Sequence, residues 1–132
     1  MNIKALCLSA VAAAAIGAPA AAHHSFAMFD ADKTVSITGT VKEFEWTNPH
    51  AWLRVMVADQ SGKQLQWALE MGSPSQMAGR GWKPDSAKPG DKVTITLHPL
   101  KDGSRGGQLL STVLPNGQQL NNGGNRNNPV AE

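Results

Sequence analysis

Apolar and polar residues alternate along the chain from Thr34 onward, and the alternation slips by one place partway. Val35, Ile37, Gly39 and Val41 hold every second position; after Lys42-Glu43 the apolar places are taken by Phe44 and Trp46. Side chains of a strand alternate faces with a period of two, so an uncorrected slip would turn the later apolar set to solvent. A β-bulge near Lys42-Glu43 restores the inward face and bends the strand. Thr47-Asn48-Pro49 then turns the chain, and a second strand, about His50 to Ala58, places Leu53, Val55 and Val57 inward. A long, bent first strand doubled back on a second is how small barrels begin to close.

The same period recurs three times more. Leu65, Trp67, Leu69 and Met71 alternate after the turn Asp59-Gln60-Ser61-Gly62. Val93, Ile95 and Leu97 alternate in a fourth strand, Lys92 to His98, entered through Lys88-Pro89-Gly90-Asp91 and ended by Pro99. A fifth strand, about Gln108 to Leu114, follows the glycine-rich loop at 101–107. One stretch breaks the pattern: Ser73 can cap a helix with Pro74 at its first position, running to about Ala78 and stopping at Gly79 or Gly81. Trp82 is then placed to plug one end of the sheet. Three strands, a short helix and two strands predict a mainly all-β fold, a five-stranded Greek-key barrel of the OB type. A β-sandwich is the alternative.

The ends differ from this body. Residues 1–22 carry Lys4, an apolar run and small residues suited to cleavage after Ala20 or Ala22, the pattern of a bacterial secretory signal peptide. The expected address is the periplasm. The single cysteine, Cys7, lies inside that leader, so the mature chain has no disulfide and no thiolate metal site. Residues 23–120 form one domain whose lead-in is pinned by Phe26 and Phe29. The segment 121–132, rich in Asn and Gly, is too polar to bury anything and is expected to be a disordered tail. Without Lys4 the charged residues number eleven basic and ten acidic, with no basic block, which argues against nucleic acid. No serine lies in a nucleophile motif, and no His-x-x-x-His or Glu-x-x-His spacing occurs, so catalysis is not expected.

Two clusters can carry chemistry. Trp46, Asn48, His50 and Trp52 gather at the first bend, and antiparallel pairing sets Glu70 beside them. Aromatic faces with an amide, an imidazole and a carboxylate suit a small polar or cationic ligand. The bland alternative is that the tryptophans cover a barrel end and His50 bonds the backbone. The second cluster is His23-His24 at the processed terminus. Cleavage after Ala20 leaves histidine third, able to wrap Cu(II) in a square plane with the amine and two amides; cleavage after Ala22 leaves His23 as terminus, chelating through amine and ring. The barrel brings the end of the fourth strand toward this segment, so His98 is the third member of a conceivable three-histidine site.

His23-His24-Ser25-Phe26, Gly39-Thr40-Val41, Trp46-Thr47-Asn48-Pro49-His50-Ala51-Trp52, Gly81-Trp82 and Pro89-Gly90-Asp91 together resemble a family of small exported bacterial proteins built on a domain of unknown function. The likeness runs from His23 to Leu120. It implies export and a small β-barrel and brings no activity, substrate or catalytic residue. The expectation is therefore a monomeric, non-catalytic, periplasmic binding or accessory protein, with no transmembrane segment in the mature chain, acting on a small ligand or another periplasmic protein. The alternatives are a periplasmic copper-binding protein and a structural or protein-interaction module.

Overall fold

The computed structural model describes residues 26–123. A single 3-10 turn (Phe26–Met28) precedes β1 (Val35–Glu45), β2 (Trp52–Ala58) and β3 (Gln64–Glu70). The short helix α1 (Pro74–Ala78) follows, then β4 (Lys92–Pro99), β5 (Gly106–Val113) and β6 (Gln119–Asn121). The strands form one sheet in the order β3-β2-β1-β4-β5-β6, and a parallel pairing of β3 with β5 closes it. Five strands thus form a closed barrel of OB topology, with β6 added outside on β5. The β-sandwich alternative is ruled out by that closure.

The phase slip resolves as expected. Val41 pairs with Val55 and Glu43 with Arg54, so the register shifts between Val41 and Glu43 and Lys42 is the extra residue. Val41 is buried and Phe44 still packs on the core. Exposed Lys42 donates to Gln66 Oε1 at 2.6 Å across the outer surface. The helix is set by a capping box: Ser73 Oγ accepts from the Gln76 amide, and Gln76 Oε1 accepts from the Ser73 amide.

Closure demands two glycines. β5 starts with Gly106-Gly107, opposite Ala68 and Leu69 of β3 and, for Gly107, Pro99 of β4. A Cβ on Gly106 would stand 2.7 Å from the Ala68 carbonyl oxygen, and one on Gly107 would overlap the His98 carbonyl oxygen. The strand is wedged between two backbones, and any side chain there would force them apart.

Leu53, Val55, Leu69, Ile95, Leu97 and Leu109 fill the barrel, and Met77 and Trp82 close one end of this core. Trp82 is fully buried, its Nε1 donating to Asn121 O at 3.0 Å. Phe44 lies between Trp82 and Trp46, each with its ring centroid 5.7 Å away. The lead-in lies against the barrel: Phe29 is buried and bridges to Leu100, and Asp30 N donates to Pro99 O at 2.8 Å. Phe26, expected to pin the lead-in beside it, is 66% exposed. The anchor is Phe29 together with backbone bonds.

The expected disordered tail begins too early. Asn121 belongs to β6 and Asn122 is buried. Asn122 Nδ2 donates to Leu109 O at 2.7 Å, its Oδ1 accepts from Gly72 N at 2.8 Å, and its own amide donates to Leu110 O at 2.8 Å. A carboxamide offers donor and acceptor at once, so polarity here is the means of burial. Residues 124–132 lie outside the described residues, as do 1–25. No helix among the described residues is long and apolar enough to cross a membrane.

Two stability outcomes follow. Gly107→Ala lowers the unfolding free energy by about 1–3 kcal/mol in urea titrations, through overpacking at the seam. Asn122→Ala costs about 1–3 kcal/mol by stranding the Gly72 amide and the Leu109 carbonyl; an unchanged urea midpoint would contradict that account.

Candidate functional site

Trp52 opens β2 and Glu70 closes β3, and the two are direct partners. The pairing continues one step past the strands: Met71 N donates to Ala51 O at 3.0 Å and Ala51 N to Gly72 O at 2.9 Å. His50 is therefore laid along the Met71-Gly72 backbone. Its Nδ1 stands 2.7 Å from Met71 O and 3.5 Å from Glu70 Oε1. A carbonyl oxygen only accepts, so Nδ1 carries hydrogen and, in the neutral ring, the lone pair lies on Nε2. The bend before it contains a cis Asn48-Pro49 bond, and Thr47 Oγ1 donates to His50 O at 3.2 Å.

His50 and Glu70 share a cleft of about 150 Å³. Phe26 of the lead-in, Arg80 just after α1, Gln108 of β5 and Asn122 also line it. The side chains of His50 and Glu70 are 20% and 14% exposed. Arg80 is exposed on the helix side, its guanidinium 3.5 Å from Gln76 O. The cleft therefore offers a carboxylate, an imidazole, a guanidinium and the carboxamides of Gln76, Gln108 and Asn122 around a small volume.

The residues gathered at the bend by sequence do not stay together. His50 and Glu70 meet; Trp46, Asn48 and Trp52 are absent from the cleft wall. Trp46 turns edge-on to Phe44 and covers the barrel end. Asn48 is exposed. Trp52 faces outward, and the Arg54 guanidinium carbon sits 5.7 Å from its ring centroid. Arg54 is held there by Glu45, its Nε 2.5 Å from Oε1. The hydrogen bond to Glu45, ahead of its charge and that of Glu43, raises the Arg54 pKa above the usual value against a smaller opposing effect of burial. The cation seat on Trp52 is already filled from within the chain.

His98 is buried. Its Nδ1 lies 2.7 Å from Lys33 O, because the lead-in covers the outward face of β4. His98 pairs with Gln108, and Gln108 pairs with Glu70, so Glu70 and His98 flank β5 roughly 10 Å apart at ordinary strand spacing. His23 and His24 lie outside the described residues. Among the described residues, no three His, Cys, Asp or Glu side chains are grouped to hold a metal ion. Sequence reasoning missed Gln108, Arg80 and Asn122. The first was legible, since OB closure sets β5 beside the end of β3; the other two depend on where α1 and the chain end pack.

No curated protein matches the chain. Among solved structures, the crystal structure of Rim1, a mitochondrial single-stranded DNA binding protein from S. cerevisiae, is similar at 15% identity and a TM-score of 0.45, over 69% of this chain and 97% of that one. So distant a likeness carries no functional argument. Residues 10–110 match the model described as a family of unknown function (DUF6152), and the chain belongs to that family.

Proposed function

We propose that this protein is an exported, non-catalytic binding module whose small polar or cationic ligand occupies the His50–Glu70 cleft. The observation that carries the reading is the pair itself. A carboxylate and an imidazole, with side chains 14% and 20% exposed, line one cleft, where a small ligand can meet both. The volume sets the scale: ordinary small-molecule pockets run to about 300–1,000 Å³, so the ligand has few heavy atoms.

Two further points support the reading. The pattern of residues 1–22 favours export to the periplasm. On the outer face of β1, β2 and β3, Glu43, Glu45 and Glu70 stand beside Arg54, which is already paired. Single-strand binders need a positive groove with open aromatic faces, and this surface supplies neither.

The test is an amide-resolved NMR titration of the mature chain with divalent cations, small amines and amino acids. A cleft ligand shifts the amides of Glu70, Met71, Gly72 and Asn122, and Glu70→Gln weakens it by about tenfold, as expected for a lost charge-assisted contact of about 1.4 kcal/mol. Shifts centred on Trp52 and Arg54 would move the site to the outer face. A specific captured protein with no shift in the cleft would leave an interaction module instead.

A further inference from the structure

We infer that the ligand of the cleft is a small amino acid, a zwitterion whose carboxylate is held by Arg80. The inference rests on the binding role proposed above and adds the group that the ligand presents to Arg80.

Three observations converge. First, it is the head group of Arg80 that stands at the cleft wall. Gly123 lines the same cleft, and a Cβ built on it would overlap Arg80 Nε and Cζ. The guanidinium lies across the bare Cα of Gly123, whose φ of 64° is one that L side chains rarely adopt. Second, the charge of that head group is unspent. Among the described residues no carboxylate pairs with Arg80, and its hydrogen bond to Gln76 O is long at 3.5 Å. A guanidinium has more donors than that contact uses. Third, the carboxamides differ in what they have already met. Asn122 is spent on both atoms, donating to Leu109 O and accepting from Gly72 N. Gln76 gives its Oε1 to the Ser73 amide, which leaves its NH₂ as the free end, and Gln108 adds its carboxamide from β5. What this part of the cleft has left to offer is hydrogen and positive charge.

The complement of such a wall is an anion. A carboxylate meets the guanidinium fork with two parallel bonds, and a carboxamide N–H extends the match. Glu70 lines the same cleft, and its charge disfavours a ligand that is only negative. That repulsion holds with the contact between Glu70 and His50 in place, and it calls for a positive group on the same molecule. The cleft volume of about 150 Å³ equals roughly five waters at about 30 Å³ each, the scale of glycine or alanine. A zwitterion of that size brings both signs of charge and no net charge.

The experiment titrates the mature chain with glycine, glycinamide and inorganic phosphate. NMR follows the backbone amides of Gly72, Asn122 and Gly123 and the side-chain Nε–H of Arg80. Glycinamide keeps the size and the amine of glycine and lacks the carboxylate; phosphate tests for a site that takes any oxyanion. Glycine is expected to bind about tenfold more tightly than glycinamide and to outbind phosphate, with a shift of the Arg80 Nε–H that glycinamide does not reproduce. Arg80 is exposed, so Arg80→Gln leaves the core alone; it brings glycine and glycinamide to within about twofold of each other. Gly123→Ala keeps the guanidinium and displaces it from the wall, and must abolish the same preference. Equal affinity for glycine and glycinamide, a preference that survives Arg80→Gln, or phosphate bound ahead of glycine overturns the inference. If glycine has no advantage but glycinamide still shifts the Gly72 and Asn122 amides, the amino-acid assignment falls and the cleft reading stands. If no probe shifts them, both fall.

Discussion

The parallel contact between β3 and β5 is the constraint on which the molecule turns. It consists of three residue pairs, Ala68 with Gly106, Leu69 with Gly107 and Glu70 with Gln108. Without it the sheet would be an open, twisted ribbon with its apolar face in water. With it, Leu53, Leu69, Ile95 and Leu109 enclose one another. The two glycines let the backbones approach, and the third pair stands at the rim of the cleft. Barrel closure and the placing of Glu70 against Gln108 are one event.

The site is an outgrowth of the same ladder. Ala51, Met71 and Gly72 continue the β2–β3 pairing beyond the last full strand residues, and Asn122 holds Gly72 from the other side. His50 is thereby held against the Met71 backbone just ahead of β2, where the sequence pattern already starts the second strand. Rigidity of this kind is what a binding group needs, because the cost of ordering it is met during folding and not during binding. Trp52 shows the opposite use of a conspicuous residue. Its ring is covered by Arg54, which Glu45 holds in turn, so an aromatic face that resembles a ligand platform is an internal packing surface.

The strands, the bulge at Lys42 and the helix with its Ser73 cap were legible because each depends on neighbours within a few residues. Period two, a one-place slip and a Ser-Pro start have local physical meanings. The meeting of His50 with Glu70 was legible too, since antiparallel pairing of adjacent strands fixes it. Trp46 misled because the bulge that keeps Phe44 inward also carries Trp46 over the barrel end, while Trp52 starts the next strand facing outward. The approach of His98 to the lead-in was legible from the pairing of β4 with β1; its burial beneath that segment was not. Asn122 could not be read at all: its partners lie 13 and 50 residues away, and nothing local marks a buried carboxamide in a polar run.

The order in which the barrel is assembled carries a kinetic consequence. β1 pairs with β4 across a gap of 56 residues, Thr38 meeting Thr94, and β3 waits for β5. A chain that has emerged only as far as α1 holds a three-stranded meander whose inner face has nothing to lie against. Such non-local pairings make folding slow, since the entropy of closing a long loop is spent before the contacts form. Leu53, Val55 and Leu69 are therefore exposed until the last third of the domain arrives. A chain of this topology stays threadable until it is nearly complete, a useful property for any polypeptide that must pass a narrow channel before it folds.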